Sequence, residues 1–577
     1  LFWKKIENMR KLSYLLLFTY LIVTSCGSGD DLSDKKANGG AAYGGIFRFK
    51  SSEKIATLLP VSSSSIYTQR VASQIFETLL TIDPESEKVV PGLAESYSVN
   101  PDATVFTFKI RKGVKFHEDE CFDGDSRELN AQDIKNTLDF ACSKTIENEI
   151  HWMLINVIKG AKKNYDSSKK GVVSKGVSGV KVIDKNTLTI DLEYPFIGFD
   201  KLLAHRSLGV FPKEAFDKYD DEIGKHPVGT GPFMLENWEE EKIILSRNPN
   251  YWKKDEFGNQ LPFLAGIEVS YAKDKKSELL AFRNQEIDLV LQIPAEEIDN
   301  VLGSLEEAQA GKNIKHKIDS KASLSTAYYG FANASEPFNN PNVRKAFNLA
   351  IDRDYLINNW MQGDGYPCKN GFVPAMGDYD DTKVKGYQFN VAEAKSLLAK
   401  AGYPDGVGFP KLSFYVNTKE GSVIHKLALG VLKQIKENLN VDIPIKLCSI
   451  DERDQAILKG EARFWRGGWI ADYPDPENFL NLFYSKNIGS NSAISNPFRY
   501  QSMIFDNTLE KAMKEGNPIK RTNYFIQCDQ QIIDEAVVMP IYHADFMTMI
   551  NNRVKNFHTN SNEIIDCSTI FIREQKK

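Results

Sequence analysis

The stretch Trp469-Ile470-Ala471-Asp472-Tyr473-Pro474-Asp475-Pro476 decides how this chain reads. It sets two carboxylates among aromatic residues and prolines, with Arg466 three residues before it. Proline fixes φ, and aspartate bonds to nearby backbone, so such a stretch is first of all a turn. An acid and a base in one neighbourhood are also the pair that holds the two ends of a zwitterion. Asp472 and Arg466 are therefore candidate ligand groups, and the rest of the chain decides between turn and site.

Working outward, four segments carry strong local signals. Pro91 to His117 reads P-G-L-A-E-S-Y-S-V-N-P-D-A-T-V-F-T-F-K-I-R-K-G-V-K-F-H. Its turn Asn100-Pro101-Asp102 is followed by alternation over Val105–Ile110, which predicts a strand. A charged stretch from Glu118 to Glu128 then predicts a surface loop before Asn130-Ala131-Gln132-Asp133 opens a helix. The second segment is V-G-T-G-P-F at Val228 to Phe233, with N-P-N-Y-W at Asn248 to Trp252, a density of glycine and proline that fixes a tight backbone crossing. In the third, Asn340 as N-cap and Pro341 at the first helical position precede Val343, Ala346, Phe347 and Ala350 on one face. Arg344, Asp352 and Arg353 at its edges read as ion-pairing scaffold. The fourth segment is a helix that starts at a capping box of Asn390 and Glu393, turns Ala394, Leu397, Leu398 and Ala401 to the core, and stops at Gly402 with Pro404 beyond.

The first residues set the compartment. Lys4, Lys5, Arg10 and Lys11 precede a short apolar run, Leu15 to Val23, and Val23-Thr24-Ser25-Cys26 ends it with small residues before a cysteine. That is a secretory signal with a lipobox-like cleavage site, too short an apolar run for a permanent membrane span. The next residues, G-S-G-D-D-L-S-D-K-K-A-N-G-G-A-A, predict a flexible tether. More than 500 of the 577 residues remain for folded structure, enough for at least two lobes. Residues 1–25 carry net +3, and removing them takes the formal charge from -5 to -8, which gives no support for nucleic-acid binding.

Seven cysteines leave six once Cys26 is set aside, at irregular spacings that permit disulfides without specifying any. Neither they nor the eight scattered histidines form a metal motif, and no cofactor is expected. No G-x-S-x-G elbow, S-x-x-K set or P-loop is present, so an enzyme is not expected.

Taken together, the first three segments and the G-W-x-A-D motif at Gly468 to Asp472 resemble the family 5 extracellular solute-binding proteins, the oligopeptide and dipeptide receptors of bacterial ABC importers. The resemblance implies an α/β class C periplasmic-binding fold, two lobes joined by a hinge plus an additional domain. By position, residues 1–25 are the signal peptide and 26–44 the tether. The first lobe takes 45–66, 186–290 and 550–577, the additional domain 67–185, and the second lobe 291–549. It also implies acyl chains on Cys26, placing the protein outside a bacterial membrane, as a monomer partnered by ABC permease subunits and a peptide ligand.

The same resemblance assigns the site. Asp472 takes the ligand's α-ammonium, and Arg466 stands where the oligopeptide branch meets a ligand carboxylate. Gly468 and Ile470 lend backbone groups to the peptide, with Trp469 between them either in contact or in the core. On the opposite lobe Ile66 lends its backbone, while Leu58-Leu59-Pro60 departs from the family's Leu-Asp-Pro and leaves ligand length open. Family members also take nickel complexes, haem, sugars or murein fragments, and a sensing or adhesion lipoprotein is the alternative of another class.

Overall fold

The computed structural model describes residues 36–62, 65–144, 148–168, 176–293, 297, 316–361, 365–488 and 496–573; the signal peptide and Cys26 lie outside them. Two large sheets organise the chain. The first has seven strands in the order His316–Ala322, Asp545–Asn551, Leu289–Leu291, Ile46–Ser51, Gly266–Tyr271, Lys242–Arg247, Phe233–Trp238. The second has six, ordered Tyr366–Pro367, Val538–His543, Ser325–Phe331, Phe464–Ile470, Phe414–Asn417, Ile445–Cys448. A four-stranded antiparallel sheet is built from Ala94–Val99, Val105–Ile110, Thr187–Asp191 and Val180–Asp184. The strand predicted from the Val105 alternation is there, with Phe106, Phe108 and Ile110 buried.

Near-continuous strands carry the chain between the large sheets. Strand His316–Ala322 belongs to the seven-stranded sheet and Ser325–Phe331 to the six-stranded one, with only Ser323 and Leu324 between them. The return is from Val538–His543 to Asp545–Asn551 across Ala544. The two crossings touch, since Ser323 N–H donates to the Ala544 carbonyl at 2.9 Å. Strands 316–322 and 545–551 thus pair within the first sheet, although the expected boundaries put 316–322 and most of 545–551 in the second lobe. Strand Thr187–Asp191 likewise joins the four-stranded sheet beyond the expected limit at 185.

The helix expected after Asn340 spans Pro341–Leu349, capped by Asn340, and buries Val343, Ala346 and Phe347. Arg344 in this helix and Arg353 at the start of the next, Arg353–Trp360, are not edge ion pairs. Arg344 gives three bonds to the carbonyls of Ala536, Phe338 and Glu535, and Arg353 binds the Pro540 carbonyl at 2.7 Å. Buried guanidiniums here tie a helix to carbonyls of distant chain. Tyr251 and Trp252 act as scaffold, both donating to Glu77 (2.9 and 2.8 Å).

The expected tether is partly a strap. Asn38 and Asn259 exchange bonds of 2.9 and 3.0 Å, Arg573 donates to the Gly40 carbonyl at 2.6 Å, and Tyr43 Oη donates to Gln260 O at 2.8 Å. The Phe257 ring lies where a Cβ on Gly39 would sit, at 2.5 Å, and Gly39 has φ +72°, so only glycine fits. From Asn38 to Tyr43 the segment is docked on the body, because backbone groups that read as unbonded in the sequence find side-chain partners far along the chain. The six remaining cysteines are free thiols, and among the described residues no helix is long and apolar enough to cross a membrane.

Candidate functional site

The site strand is Phe464–Ile470. Its start is locked by aromatic packing: Phe464 lies 4.4 Å from Phe414 and 5.5 Å from Phe331 between ring centroids. On one side it runs antiparallel to Ser325–Phe331 for its whole length, from Phe331 opposite Phe464 to Ser325 opposite Ile470. On the other side it pairs with Phe414–Asn417 only at Phe464 and Trp465. Beyond Trp465 no strand pairs with that edge among the described residues.

Which backbone groups face the open edge follows from the alternation of a strand. Ala471 N–H donates to the Leu324 carbonyl and Ala332 N–H to the Arg463 carbonyl, so odd positions face the neighbour 325–331. The N–H and C=O of Arg466, Gly468 and Ile470 therefore point the other way. The Arg466 carbonyl is met there by Arg453 at 3.3 Å. Gly468 and Ile470 are exposed, and a Cβ on Gly468 would have no atom closer than 3.9 Å. Gly467, pointing inward, is different, since its Cβ would meet the Tyr328 ring at 2.4 Å.

At the strand's end the two carboxylates of the turn part company. Asp475 is fully buried, caps the helix Pro476–Leu480, and is paired with Lys201 at 2.7 Å and Arg521 at 2.8 Å, which hold its carboxyl well below the usual range. It is the turn residue. Asp472 has no such partner. Asn478, 4% exposed, donates to its Oδ2 at 3.3 Å and accepts from its backbone N–H at 3.2 Å. The same Asn478 Oδ1 accepts from the Trp469 indole at 2.8 Å, so one amide sets both side chains. The Trp469 ring is partly buried against the main core.

Across from Asp472 stands His205, with Nε2 at 4.0 Å from Oδ1. Its Nδ1 accepts from Ser207 N–H at 3.2 Å, which leaves the proton on Nε2, directed at the carboxylate. Burial, then the neighbouring Arg206 charge, push the imidazole down to about 3, so it stays neutral. Asp472 retains 26% accessibility but is surrounded by protein on most sides, and this burial raises it to about 6 against the pull of Asn478 and Arg206. A carboxylate so placed has among the described residues no ion-pair partner that is charged at neutral pH, a state suited to a cationic ligand group.

Arg466 lies six residues before Asp472, four of them along the strand, at most roughly 20 Å at about 3.3 Å per residue. It touches Asn417 at 3.5 Å and pairs with no carboxylate among the described residues. Ile66 begins the helix Ile66–Ile75, so its N–H is among the first-turn donors that receive no intrahelical carbonyl. That helix meets the His205 segment through Gln69, which donates to Ser207 Oγ at 3.0 Å. The structure thus places Arg466, Gly468, Trp469, Ile470 and Asp472 along one strand and its exit, with Ile66 on the helix linked to the segment opposite. Sequence reasoning missed Asn478 and His205. The N-capped turn after Asp475 signals the first, and nothing local signals the second. Among the described residues no three metal-binding side chains cluster.

The profile for bacterial extracellular solute-binding proteins, family 5 middle region, matches residues 88–491. The chain is 26% identical over 494 residues to the glutathione-binding protein GsiB of Salmonella choleraesuis, covering 84% of this chain and 86% of that one. With the oligopeptide-binding protein OppA of Bacillus subtilis it shares 27% over 544 residues, 92% of each chain. The solved structure of DppA from Helicobacter pylori in complex with the peptide STSA superposes with a TM-score of 0.74 at 24% identity, over 92% of this chain and 99% of that one. The oligopeptide-binding protein OppAIV of Borrelia burgdorferi gives 0.72 at 25%, over 92% and 100%.

Proposed function

This chain belongs to the family 5 bacterial extracellular solute-binding proteins, solute receptors of ABC importers, and on that premise we propose that it is a lipid-anchored peptide receptor. It is a binding protein, like the relatives named above, and not an enzyme. The observation that carries the peptide reading is the open strand edge at Gly468 and Ile470 leading to an unpaired Asp472. A peptide added to that edge exchanges backbone bonds with the receptor, whatever its side chains, and delivers its α-ammonium to Asp472. Arg466, at most roughly 20 Å back from Asp472, suits the far carboxylate of a ligand several residues long.

The lobes of this reading follow the sheets. The first holds the seven-stranded sheet, and the second runs from Ser325 to His543. The paired crossings at Ser323-Leu324 and Ala544 are the hinge about which they close on the ligand. The helix starting at Ile66 then approaches the peptide from the first lobe. Cys26, acylated, anchors a monomer at the outer face of a bacterial membrane, where it hands ligand to its permease. Cys26→Ser is expected to move the protein to the soluble fraction without fatty-acid labelling.

The deciding experiment is calorimetry with a tripeptide and its N-acetylated form. The free peptide is expected to bind at least 30-fold tighter, corresponding to about 2 kcal/mol for the ammonium–carboxylate pair. Equal binding of the two removes Asp472 from the site and peptides from first place among ligands.

A further inference from the structure

The open edge of the site strand has an end. Strand Phe414–Asn417 pairs with Phe464–Ile470 only as far as Trp465, and the slot it vacates is the one an added ligand strand would enter. The protein's own side chains stand at the mouth of that slot. Arg453, on the helix Ile450–Leu458, sends Nη1 to the Arg466 carbonyl at 3.3 Å and to Asn417 Oδ1 at 2.9 Å. Its Nε and Nη2 are held by Asp454 at 2.7 and 2.6 Å, so three partners fix the guanidinium, and the side chain is only 13% exposed. The Arg466 guanidinium touches the same Asn417 oxygen at 3.5 Å. A side chain tied in this way is part of the wall, and the carbonyl it bonds is one of the outward acceptors that strand addition uses.

The register of pairing makes this a limit on length. A peptide with its ammonium at Asp472 has its N-terminus at the strand's C-terminal end, so it runs antiparallel to the strand. In an antiparallel ladder the residues that exchange bonds lie directly opposite one another and recur at every second position. The first ligand residue then pairs with Ile470 and the third with Gly468. The fifth falls opposite Arg466, where Arg453 already takes both the carbonyl and the space in front of it. A carboxylate on the third residue accepts from Gly468 N–H and points along the slot toward the Arg453 and Arg466 guanidiniums, donors for a charge-assisted bond. A longer chain brings its next amide to the Arg466 carbonyl, in the place of Arg453 Nη1. We propose that Arg453 sets ligand length, closing the edge after two paired residues, so that the preferred ligand is a tripeptide with both ends free. The groups offered at Gly468 and Ile470 are backbone, so the ligand class is defined by length and termini more than by side chains.

This assignment rests on the peptide reading, and the experiment separates the two. Binding of dialanine, trialanine, tetraalanine, pentaalanine and hexaalanine is measured by calorimetry on the wild type and on Arg453→Ala, both confirmed folded by circular dichroism. The wild type is expected to bind trialanine about tenfold or more tighter than dialanine, which lacks the residue opposite Gly468. It is expected to bind pentaalanine and hexaalanine about tenfold or more weaker than trialanine, because these must displace Arg453. In Arg453→Ala the gap between trialanine and pentaalanine is expected to close to within about threefold, whatever the absolute affinities. That ratio reports length reading, which a general loosening of the fold does not move. Wild-type protein that binds pentaalanine as tightly as trialanine overturns the length stop and leaves peptide binding standing, a result that needs no variant. A gap that survives undiminished in Arg453→Ala overturns it too. Failure of the wild type to bind any of the five overturns both readings together.

Discussion

Asp472→Asn is expected to make the empty protein more stable and the liganded one weaker, two opposite shifts from one atom exchange. In the folded protein Asp472 is raised from 3.8 to about 6, because burial disfavours its charged form. A raised carboxyl lowers stability as pH climbs from the unfolded value through the folded one. Below about pH 4 the effect is absent, and above pH 6 it is fully present. At about 1.4 kcal/mol per pKa unit the charge destabilises the empty fold by roughly 3 kcal/mol at pH 7.5. Asparagine removes that charge while still offering an oxygen to Asn478, so the local bond at 3.3 Å is kept. Thermal denaturation without ligand is therefore expected to show the variant higher by a few degrees at pH 7.5 and level with wild type at pH 4. Calorimetry at pH 7.5 is expected to show a free-amine peptide bound at least 30-fold more weakly, from the about 2 to 5 kcal/mol of a desolvated pair. A variant of unchanged or lower stability at pH 7.5 refutes the claim that Asp472 is a buried anion without a charged ion-pair partner. Stabilisation without loss of affinity refutes its role toward the ligand.

Affinity of the wild type for a free-amine peptide is expected to fall by up to about tenfold per unit as pH drops below 6, since binding then requires Asp472 to release a proton, while an N-acetylated peptide shows no such slope; a flat profile from pH 7 to 5 contradicts it. Gly467→Ala, whose methyl meets the Tyr328 ring at 2.4 Å, is expected to lower stability by about 1–3 kcal/mol in urea, whereas Gly468→Ala, with nothing nearer than 3.9 Å, leaves it within about 0.5 kcal/mol. Asp475→Ala leaves Lys201 and Arg521 without their shared carboxylate and is expected to cost about 3–5 kcal/mol of stability by denaturant titration, an effect that a ligand-only role for Asp475 does not produce.

What the sequence made legible was local. Asn340-Pro341 and the apolar face behind it are visible because a cap and a 3.6-residue period are properties of a few neighbouring residues. Asp472 was legible as the acid at the end of G-W-x-A-D, and the turn character of its neighbour follows from Asp475-Pro476 capping the next helix. The open edge at Gly468 was not legible, since strand Phe414–Asn417 stops pairing after two residues and no composition marks that. His205 comes to Asp472 through tertiary folding, and no local pattern in the sequence marks that approach. The crossings at Ser323-Leu324 and Ala544 carry no local signal because the chain passes between sheets almost without leaving strand conformation. Arg344 and Arg353 looked like surface ion pairs because charge at a helix edge usually is solvated, and here carbonyls from residues 535 to 540 replace the solvent.

With the anchor proposed at Cys26, the docking of Asn38 to Tyr43 has a geometric result. A chain spans at most about 3.4 Å per residue. Were the body free from residue 44 onward, its attachment point would roam as far as roughly 60 Å from the membrane. Docked from Asn38, it stays within roughly 41 Å, and the volume it samples shrinks about threefold. On that proposal the body is held about three times more concentrated near its anchor, an effect of two asparagines, a glycine and a phenylalanine at the strap and its dock.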